Sequence, residues 1–223
     1  VDASAALASK THVVHNGVER LQKKQGPKKQ VILFVGRMVA EKGVLELAEA
    51  AAQILPNHPE WQLCLAGAKG FEVAEKSPYE KQVESALVRL GAQAQMTGFL
   101  PYADIRTLQG EAAIIACPSI WQDPMPKVVL EALAAGSALL TSRRGGIPEA
   151  AEGRAHIVDD PNVDTLASAI EQLIADDSYR NSLQQAAWAD FPFTAKQMAA
   201  NADSARNAAI SAPVERQKHG LGG

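Results

Sequence analysis

Short apolar runs that alternate with helical patterns are the feature of this sequence that most limits its fold. Six runs have the length of a strand and are mostly apolar, which is typical of parallel strands covered on both faces. They span residues 31–35, 62–66, 94–97, 112–117, 138–141 and 156–158. We therefore predict an α/β fold in which a doubly wound, Rossmann-like parallel sheet of about six strands carries helices on both faces.

Apolar residues at helical spacing predict the helices between these strands. The predicted helices span 44–55, 78–90, 102–108, 128–135, 147–151 and 162–175. An Ala-rich helix is predicted over 178–211, with a break near Pro192. Outside this series, 11–14 predicts a short strand before an Asn16-Gly17 turn, and 219–223 predicts a disordered tail.

Charge and composition exclude several classes of partner. The 223-residue chain has a formal net charge of −3 and no long basic run, so we expect no nucleic-acid partner. Its apolar segments are far shorter than the roughly 20 residues that span a bilayer, and no signal sequence opens it, so a cytoplasmic location is predicted. Cys64 and Cys117 lie within apolar runs, which predicts buried, reduced thiols.

The stretch from Ile120 to Gly136 combines a predicted helix with two acids. Asp123 suits the N-cap, Pro124 suits the first helical position, and Gly136 suits the C-terminal stop. The apolar helix between them carries Glu131. Because a buried carboxylate is costly unless a partner compensates it, we expect Glu131 to have one.

Residues that follow the strands share one rim of a doubly wound sheet, where ligands bind. Small residues there let a ligand approach the backbone, while Arg37 and Lys42 add positive charge beside helix N-termini, which attract anions. The rim is therefore suited to a phosphate or diphosphate; the alternative is that Arg37 and Lys42 are ordinary surface charges. The predicted rim consists of Gly36, Arg37, Lys42, Gly67, Ala68, Lys69, Gly98, Pro118, Ser119, Asp123, Gly145 and Gly146.

Several motifs with a specific chemistry are missing from the sequence. It contains no Gly-x-Gly-x-x-Gly, no Walker-type loop and no Gly-x-Ser-x-Gly, so ordinary NAD, ATP and serine-hydrolase sites have no support. Its histidines are scattered, and neither a Cys/His metal spacing nor Asp-x-Asp occurs. We therefore expect no metal and no cofactor.

Seven short motifs mark the chain from about residue 12 to residue 175. They are His15-Asn16-Gly17-Val18-Glu19, Val35-Gly36-Arg37-Met38 with Glu41-Lys42-Gly43, Leu65-Ala66-Gly67, Thr97-Gly98-Phe99, Cys117-Pro118-Ser119, Asp123 with Glu131-Ala132-Leu133-Ala134-Ala135-Gly136, and Gly145-Gly146-Ile147-Pro148-Glu149. In this order and spacing they resemble the C-terminal, donor-binding half of a GT-B fold, as found in the retaining glycosyltransferases of family 4, group 1.

The resemblance implies a role for each matching residue. Arg37 and Lys42 are implied as catalytic cations that grip the donor diphosphate and offset charge on the departing nucleotide. Asp123, the first acid of a Glu-x7-Glu motif, is implied to contact the transferred sugar, and Glu131, the second, to hold the ribose hydroxyls. The other implied substrate-binding residues flank the base or line the sugar and phosphates: Gly36, Phe99, Leu100, Met125, Lys127 and Val128.

Two departures from the family pattern fall at the sugar end of this motif. The first acid is Asp123 rather than Glu, and Met125-Pro126 stands where the family has an aromatic residue and Gly. Proline has no N–H, so one backbone contact to the donor is lost there. The identity of the donor sugar therefore does not follow from the motif.

The resemblance also implies how the enzyme is divided. Residues 1–11 are expected to end a missing N-terminal acceptor domain or linker, 12–190 to form the nucleotide-sugar-binding domain, and 191–223 to form a C-terminal helix and tail. The implied partners are a nucleotide-sugar donor, with a UDP-sugar favoured, and the N-terminal domain. That missing half also leaves open a peripheral attachment to the inner face of the cytoplasmic membrane.

The function implied by the resemblance is retaining hexosyl transfer to a cell-surface polysaccharide, a lipopolysaccharide or a lipid-linked acceptor. Two other readings remain open. One is a GT-B relative that acts as a nucleotide-sugar epimerase or a sugar-phosphate synthase. The other is a nucleotide-sugar-binding module that is inactive without its N-terminal half.

Overall fold

The computed structural model describes residues 11–22, 26–70, 75–189 and 191–211. Within them, six parallel strands form one sheet in the order β3-β2-β1-β4-β5-β6. This is the order of a doubly wound nucleotide-binding sheet, so the predicted fold class is confirmed. The strands are β1 (Lys29–Val35), β2 (Gln62–Ala66), β3 (Ala94–Gly98), β4 (Ala112–Cys117), β5 (Ala138–Ser142) and β6 (Ala155–Val158).

The helices alternate with the strands as the sequence predicts. They are α1 (Val44–Ile54), α2 (Pro78–Leu87), α3 (Tyr102–Glu111), α4 (Lys127–Ala134), α5 (Ile147–Ala151), α6 (Val163–Ala175), α7 (Asp177–Trp188) and α8 (Ala195–Ser211). Short 3-10 turns lie at Ala40–Lys42, Leu55–Asn57 and Val88–Gln93. The Ala-rich C-terminal helix is indeed broken around Pro192, whereas the predicted tail over 219–223 lies outside the described residues.

Hydrophobic cores lie on both faces of the sheet because each strand sends alternate side chains to opposite faces. In β1, Phe34 packs with residues of α1, α2 and α6, while Leu33 packs with residues of α3, α4 and α5. In β4, Ile114 and Ile115 divide in the same way, and both are fully buried. Cys64 and Cys117 are buried free thiols in the second of these cores, as predicted.

Two local predictions are wrong. Residues 11–14 form no strand, because Val13 and Val14 are exposed and no neighbouring strand among the described residues pairs with them. The central helix begins at Lys127 with Pro126 as its N-cap, so neither Asp123 nor Pro124 takes the predicted place.

The C-terminal end of α4 agrees with the sequence prediction. Gly136 has a φ of 64°, and its N–H donates to Leu133 while the N–H of Ser137 donates to Ala132. This pattern of bonds is a Schellman motif, in which glycine takes the left-handed conformation that ends a helix. Gly136 therefore ends α4, as the sequence predicts, because glycine readily adopts a positive φ.

The first and last described segments are joined to each other. The N–H of Val18 donates to the Phe193 carbonyl at 2.9 Å, and Ala195 donates back to Val18 at 3.3 Å. Phe191 is buried in the core beside α4 and α7. Phe191 and Phe193 therefore pack against this domain, whereas α8 has no buried residue, and the division of the chain at residue 190 stays a prediction.

Candidate nucleotide-sugar site

The candidate site lies where the chain leaves β1 and β4, the two central strands at which the strand order reverses. In doubly wound proteins, ligands bind at the carboxyl ends of the strands at this switch point. β1 continues into Gly36 and Arg37 and then into the Ala40–Lys42 turn. β4 continues into a loop that ends at Pro126, the N-cap of α4.

One backbone carbonyl fastens these two loops together. The Glu41 carbonyl accepts hydrogen bonds from the N–H groups of Ile120 at 2.9 Å and Trp121 at 3.2 Å, and from the Ser119 hydroxyl at 3.2 Å. Ser119 is fully buried, so its hydroxyl needs such a partner. The spacing between the cation of the first loop and the acid of the second is therefore held by the backbone.

Lys42 and Asp123 form a direct ion pair across that junction. Lys42 Nζ lies 2.8 Å from Asp123 Oδ2, and the two side chains are 21% and 19% exposed. The family resemblance assigns them to different parts of the donor, whereas in this structure they neutralise each other. Beneath them, burial raises the pKa of the Cys117 thiol to about 12. That thiol is therefore neutral packing and not a nucleophile.

The glycine pair after β5 supports the Asp123 loop. Gly146 donates its N–H to the Asp123 carbonyl at 2.9 Å, and Gly145 donates to Gln122 Oε1 at 2.5 Å. A Cβ on Gly146 would lie 1.6 Å from the Pro124 carbonyl oxygen, and one on Gly145 would lie 2.0 Å from that of Asp123. These glycines, predicted as rim residues open to a ligand, allow close contact between two loops instead.

Glu131, just over one turn into α4, is the acid that the sequence predicts to be buried, and its residue exposure is 9%. Its Oε2 accepts from Gln109 Nε2 at 2.9 Å, and its Oε1 accepts from the Tyr102 hydroxyl at 3.3 Å. Arg106 donates to Gln109 Oε1 at 2.9 Å and to the Glu19 carbonyl at 2.8 Å. Protein groups therefore compensate this carboxylate before any ligand arrives.

Sequence reasoning missed this set of supporting residues on α3. Tyr102, Arg106 and Gln109 are separated by four and three positions, which places them on one helix face. That spacing is the signal that could have found them. Partial desolvation of its hydroxyl, with the Glu131 charge as the next cause, raises the pKa of Tyr102 above its ordinary value of 10.0, so the hydroxyl stays protonated and remains a donor.

The other predicted site residues divide into exposed and packed groups. Arg37 and Lys127 are exposed, and neither has an ion pair with another described residue. Phe99 is exposed just before α3. The partly buried members pack on the core beneath α3 and α4: Leu100, Met125 and Val128. The structure thus joins Lys42 with Asp123, and joins Glu131 with the helix that follows Phe99, but it does not join Arg37 to either group.

The first and the last of the seven motifs also meet near this loop. His15 Nε2 lies 2.7 Å from Glu149 Oε2, and the His15 ring packs edge-on against Phe193. Asn16 Nδ2 lies 3.5 Å from the Met125 carbonyl oxygen. Nothing in the local sequence indicates this contact, because it depends on how the chain closes over α5.

A cavity of about 400 Å³ lies elsewhere in the molecule. It is lined in part by Lys29, Gly136 and Trp188, which lie at the amino-terminal ends of the strands. Open α/β sheets bind their ligands at the opposite, carboxyl-terminal edge. We therefore assign the site by its chemistry and position rather than by the volume of a cavity.

Comparison with known proteins identifies the family to which these features belong. Residues 18–189 match the model of the family described as glycosyl transferases group 1, and the chain belongs to this family. The sheet and the helices on its two faces form the Rossmann-like, C-terminal domain of a GT-B fold. Within the described residues, no helix is both long and apolar enough to cross a bilayer.

Curated relatives and solved structures agree with this assignment. The chain is 32% identical over 158 residues to the putative glycosyltransferase YtcC of Bacillus subtilis, covering 70% of this chain and 39% of that protein. It is 33% identical over 196 residues to an alpha-maltose-1-phosphate synthase of Mycolicibacterium smegmatis, covering 75% and 48%. The crystal structure of Anabaena Alr3699/HepE in complex with UDP has the same fold, with a TM-score of 0.69, 23% identity, and coverage of 82% and 49%. The chain spans less than half the length of each.

Proposed function

We propose that this chain is the donor-binding domain of a retaining glycosyltransferase that uses a nucleoside diphosphate sugar, with a UDP-sugar favoured. The observation that carries the proposal is a pair of charged groups at the switch-point rim. Lys42 offers a cation held between two loops, and Glu131 offers a buried carboxylate suited to hydroxyl donors. The Anabaena protein of the same fold was crystallised with UDP, which supports the choice of nucleotide.

In the proposed chemistry, two cations of the protein stabilise the leaving group. Lys42 and Arg37 offset the charge that develops on the departing diphosphate, which is the work that a metal ion does in other transferases. We therefore expect transfer without a bound metal, and a chelator should leave the rate of the complete enzyme unchanged. Asp123 contacts the sugar, Glu131 the ribose, and Phe99 flanks the base.

Retention follows if the acceptor attacks from the face that the diphosphate leaves. The bond between the anomeric carbon and the phosphate oxygen breaks, and the acceptor oxygen bonds to the same face of that carbon. The acceptor proton passes to the departing phosphate oxygen, so the donor supplies its own base. The acceptor is proposed to be a growing cell-surface polysaccharide, a lipopolysaccharide or a lipid-linked sugar, bound by an N-terminal domain.

One relative favours a second enzymatic function. The alpha-maltose-1-phosphate synthase similarity extends over 75% of this chain. If this protein is also a sugar-phosphate synthase, its acceptor is a phosphorylated sugar rather than a polysaccharide end. Incubating the complete enzyme with UDP-, GDP- and ADP-sugars and with each acceptor class separates the two, because only a sugar-phosphate synthase extends a free phosphorylated sugar.

Binding of UDP to this chain tests the site directly. We expect Lys42→Ala and Glu131→Ala each to weaken UDP binding by about tenfold or more, because each removes a charged partner of the nucleotide. Isothermal titration calorimetry measures the affinity. Lys29→Ala is the matched control, since Lys29 also pairs with an acid, Glu111, but begins β1 at the opposite edge of the sheet. Unchanged UDP affinity in both site variants would contradict the assignment.

A further inference from the structure

The hydrogen bonds around Glu131 leave a specific part of its carboxylate open. An ionised carboxylate has about four acceptor positions, two on each oxygen. Gln109 occupies one position on Oε2, and Tyr102 occupies one on Oε1. Among the residues that the structure describes, no other donor fills the remaining position on each oxygen. Two neighbouring acceptors of this kind match the two adjacent hydroxyl donors of a cis-diol.

The orientation of the Gln109 amide is determined by its neighbours. An arginine side chain only donates hydrogen bonds, and an ionised carboxylate only accepts them. Because Arg106 donates to Gln109 Oε1, the amide nitrogen must point to Glu131, and a flipped amide would place its oxygen against the carboxylate. Gln109 is fully buried, so the rejected orientation would also leave polar groups without partners. The amide thus has one orientation.

Arg106 connects this arrangement to a distant part of the chain. A second guanidinium nitrogen of Arg106 donates to the carbonyl of Glu19. Glu19 directly follows Val18, the residue that pairs with Phe193. The guanidinium group that orients Gln109 is therefore held by two hydrogen bonds, one from each terminal nitrogen. The position of the Glu131 carboxylate depends on α3, on α4 and on residues 18–20 together.

We infer that Gln109, oriented by Arg106 and assisted by Tyr102, is a positioning residue that makes Glu131 selective for the ribose diol of the nucleotide. Gln109 does not touch the nucleotide. It holds the carboxylate so that the two open acceptor positions face the 2′- and 3′-hydroxyls. This inference rests on the proposed function, because it assumes that a nucleoside diphosphate occupies the rim.

The selectivity between UDP and 2′-deoxy-UDP tests the inference. The wild-type chain is expected to prefer UDP, because the deoxy nucleotide leaves an acceptor of a buried carboxylate unpaired. Gln109→Met keeps the volume of the side chain but removes its donor. We expect this variant to lose about tenfold in UDP affinity while its affinity for 2′-deoxy-UDP changes little, so the ratio of the two affinities falls. Calorimetry with both nucleotides measures the ratio.

Two further variants distinguish positioning from a general loss of stability. Gln184→Met is the matched control, because Gln184 donates a single 3.0 Å bond to the Ala113 carbonyl and does not contact Glu131. It should leave the nucleotide ratio unchanged. Tyr102→Phe alters an exposed residue and should lower the ratio by about twofold to threefold, in keeping with the longer 3.3 Å bond. If Gln109→Met does not fold, the ratio of UDP affinity to 2′-deoxy-UDP affinity in Tyr102→Phe tests the inference in its place.

The outcomes separate the inference from the function on which it rests. A ratio that falls in Gln109→Met or Tyr102→Phe, but not in Gln184→Met, supports the inference. A wild-type preference for UDP that persists in both α3 variants overturns it and leaves the proposed function standing. If the wild-type chain binds neither nucleotide, the proposed function fails, and the inference fails with it.

Discussion

At the scale of single residues, the structure supplies protein partners for groups that the sequence relates to a ligand. The family resemblance accounts for Glu131 through ribose hydroxyls, but Gln109 and Tyr102 already donate to it. Likewise, Lys42 is paired with Asp123 at 2.8 Å. Burying charge is costly in an unliganded protein, so a site must be compensated before its substrate arrives. Under the proposed function, the nucleotide sugar replaces some of these protein partners when it binds.

The Lys42–Asp123 pair predicts an unusual gain of affinity. Asp123→Asn should tighten the binding of UDP by about threefold, because the diphosphate no longer competes with a carboxylate for Lys42. Calorimetry with UDP measures the change. In the complete enzyme, the same variant should lower the rate of sugar transfer, since the proposed contact to the sugar weakens.

Asp159→Asn is the control for this effect, because it removes an acid that pairs with Arg143 on the exposed surface. Weaker UDP binding in Asp123→Asn would show that Asp123 holds Lys42 in place for the phosphates rather than competing with them.

The raised pKa of Tyr102 predicts a pH dependence with a definite sign. Most of the Tyr102 side chain is exposed, but its hydroxyl lies against Glu131, and the desolvation of that hydroxyl and the Glu131 charge favour the neutral phenol in the folded protein. The resulting stabilisation is complete below the ordinary value of 10.0 and is lost as the pH rises through the higher pKa of the folded state. Glu131→Gln should lower the pKa of Tyr102, as measured by a tyrosinate absorbance titration that subtracts the Tyr102→Phe variant. A pKa that is equal in wild type and Glu131→Gln would contradict this coupling.

At the scale of elements, α4 shows how a local signal can be correct and still be overruled. Asp123 and Pro124 suit the start of a helix, and no conflicting signal lies next to them. Yet Gly146 binds the Asp123 carbonyl and fits tightly against Pro124, so this stretch remains a loop and the helix begins at Lys127. A helix start can shift by one turn when another segment satisfies the same backbone groups.

Gly146→Ala should displace the Asp123 loop. The added Cβ would lie 1.6 Å from the Pro124 carbonyl oxygen, so we expect a loss of about 2–3 kcal/mol in the free energy of unfolding. UDP affinity should fall as well, because the loop leads directly into α4, which carries Glu131. Urea denaturation and calorimetry measure the two effects.

Gly153→Ala separates steric conflict from backbone strain. Gly153 has a φ of 72°, but no described atom lies within 4 Å of the position that its Cβ would occupy, so the added methyl group brings strain without collision. The substitution should cost about 1 kcal/mol and leave UDP affinity unchanged. Equal effects of the two substitutions on UDP binding would contradict the role given to the Gly146 contact.

At the scale of the whole molecule, the two ends of the described domain are fastened together. Val18 pairs with Phe193, and Arg20 stacks over Trp188 with its guanidinium carbon 4.2 Å from the ring centroid. Arg20 also donates to the Trp188 carbonyl. Glu19, within the same segment, accepts a hydrogen bond from Arg106, which orients Gln109 against Glu131. The contact between the two ends is therefore connected to the hydrogen bonds of Glu131.

Arg20→Ala should therefore lower the stability of the domain as a unit. Loss of the cation–π contact and of one hydrogen bond predicts a decrease of about 1–2 kcal/mol in the free energy of unfolding, measured by urea denaturation. Arg206→Ala, which removes an exposed pair within α8, should change it by less than about 0.5 kcal/mol. If both arginine variants are equally stable, the closure contributes nothing measurable.

The sequence by itself determines the sheet, its helices and the chemistry of the rim. The runs 62–66 and 112–117 match β2 and β4 end to end, because buried parallel strands have to be apolar and short. Lys42, Asp123 and Glu131 are recognisable from their motifs. The supporting residues Gln109 and Arg106 are not, since they match no functional motif and their role depends on the packing of α3 against α4.

Only the tertiary structure decides how these groups compensate one another. The pairing of Lys42 with Asp123, the loop supported by Gly146 and the fixed Gln109 amide all join segments more than 20 residues apart. Local propensity acts over a few neighbouring residues, whereas the cost of burying a charge is met by whichever groups the fold brings within hydrogen-bonding distance. The sequence therefore predicts the charged residues of the candidate site, and the packing of distant segments decides their partners.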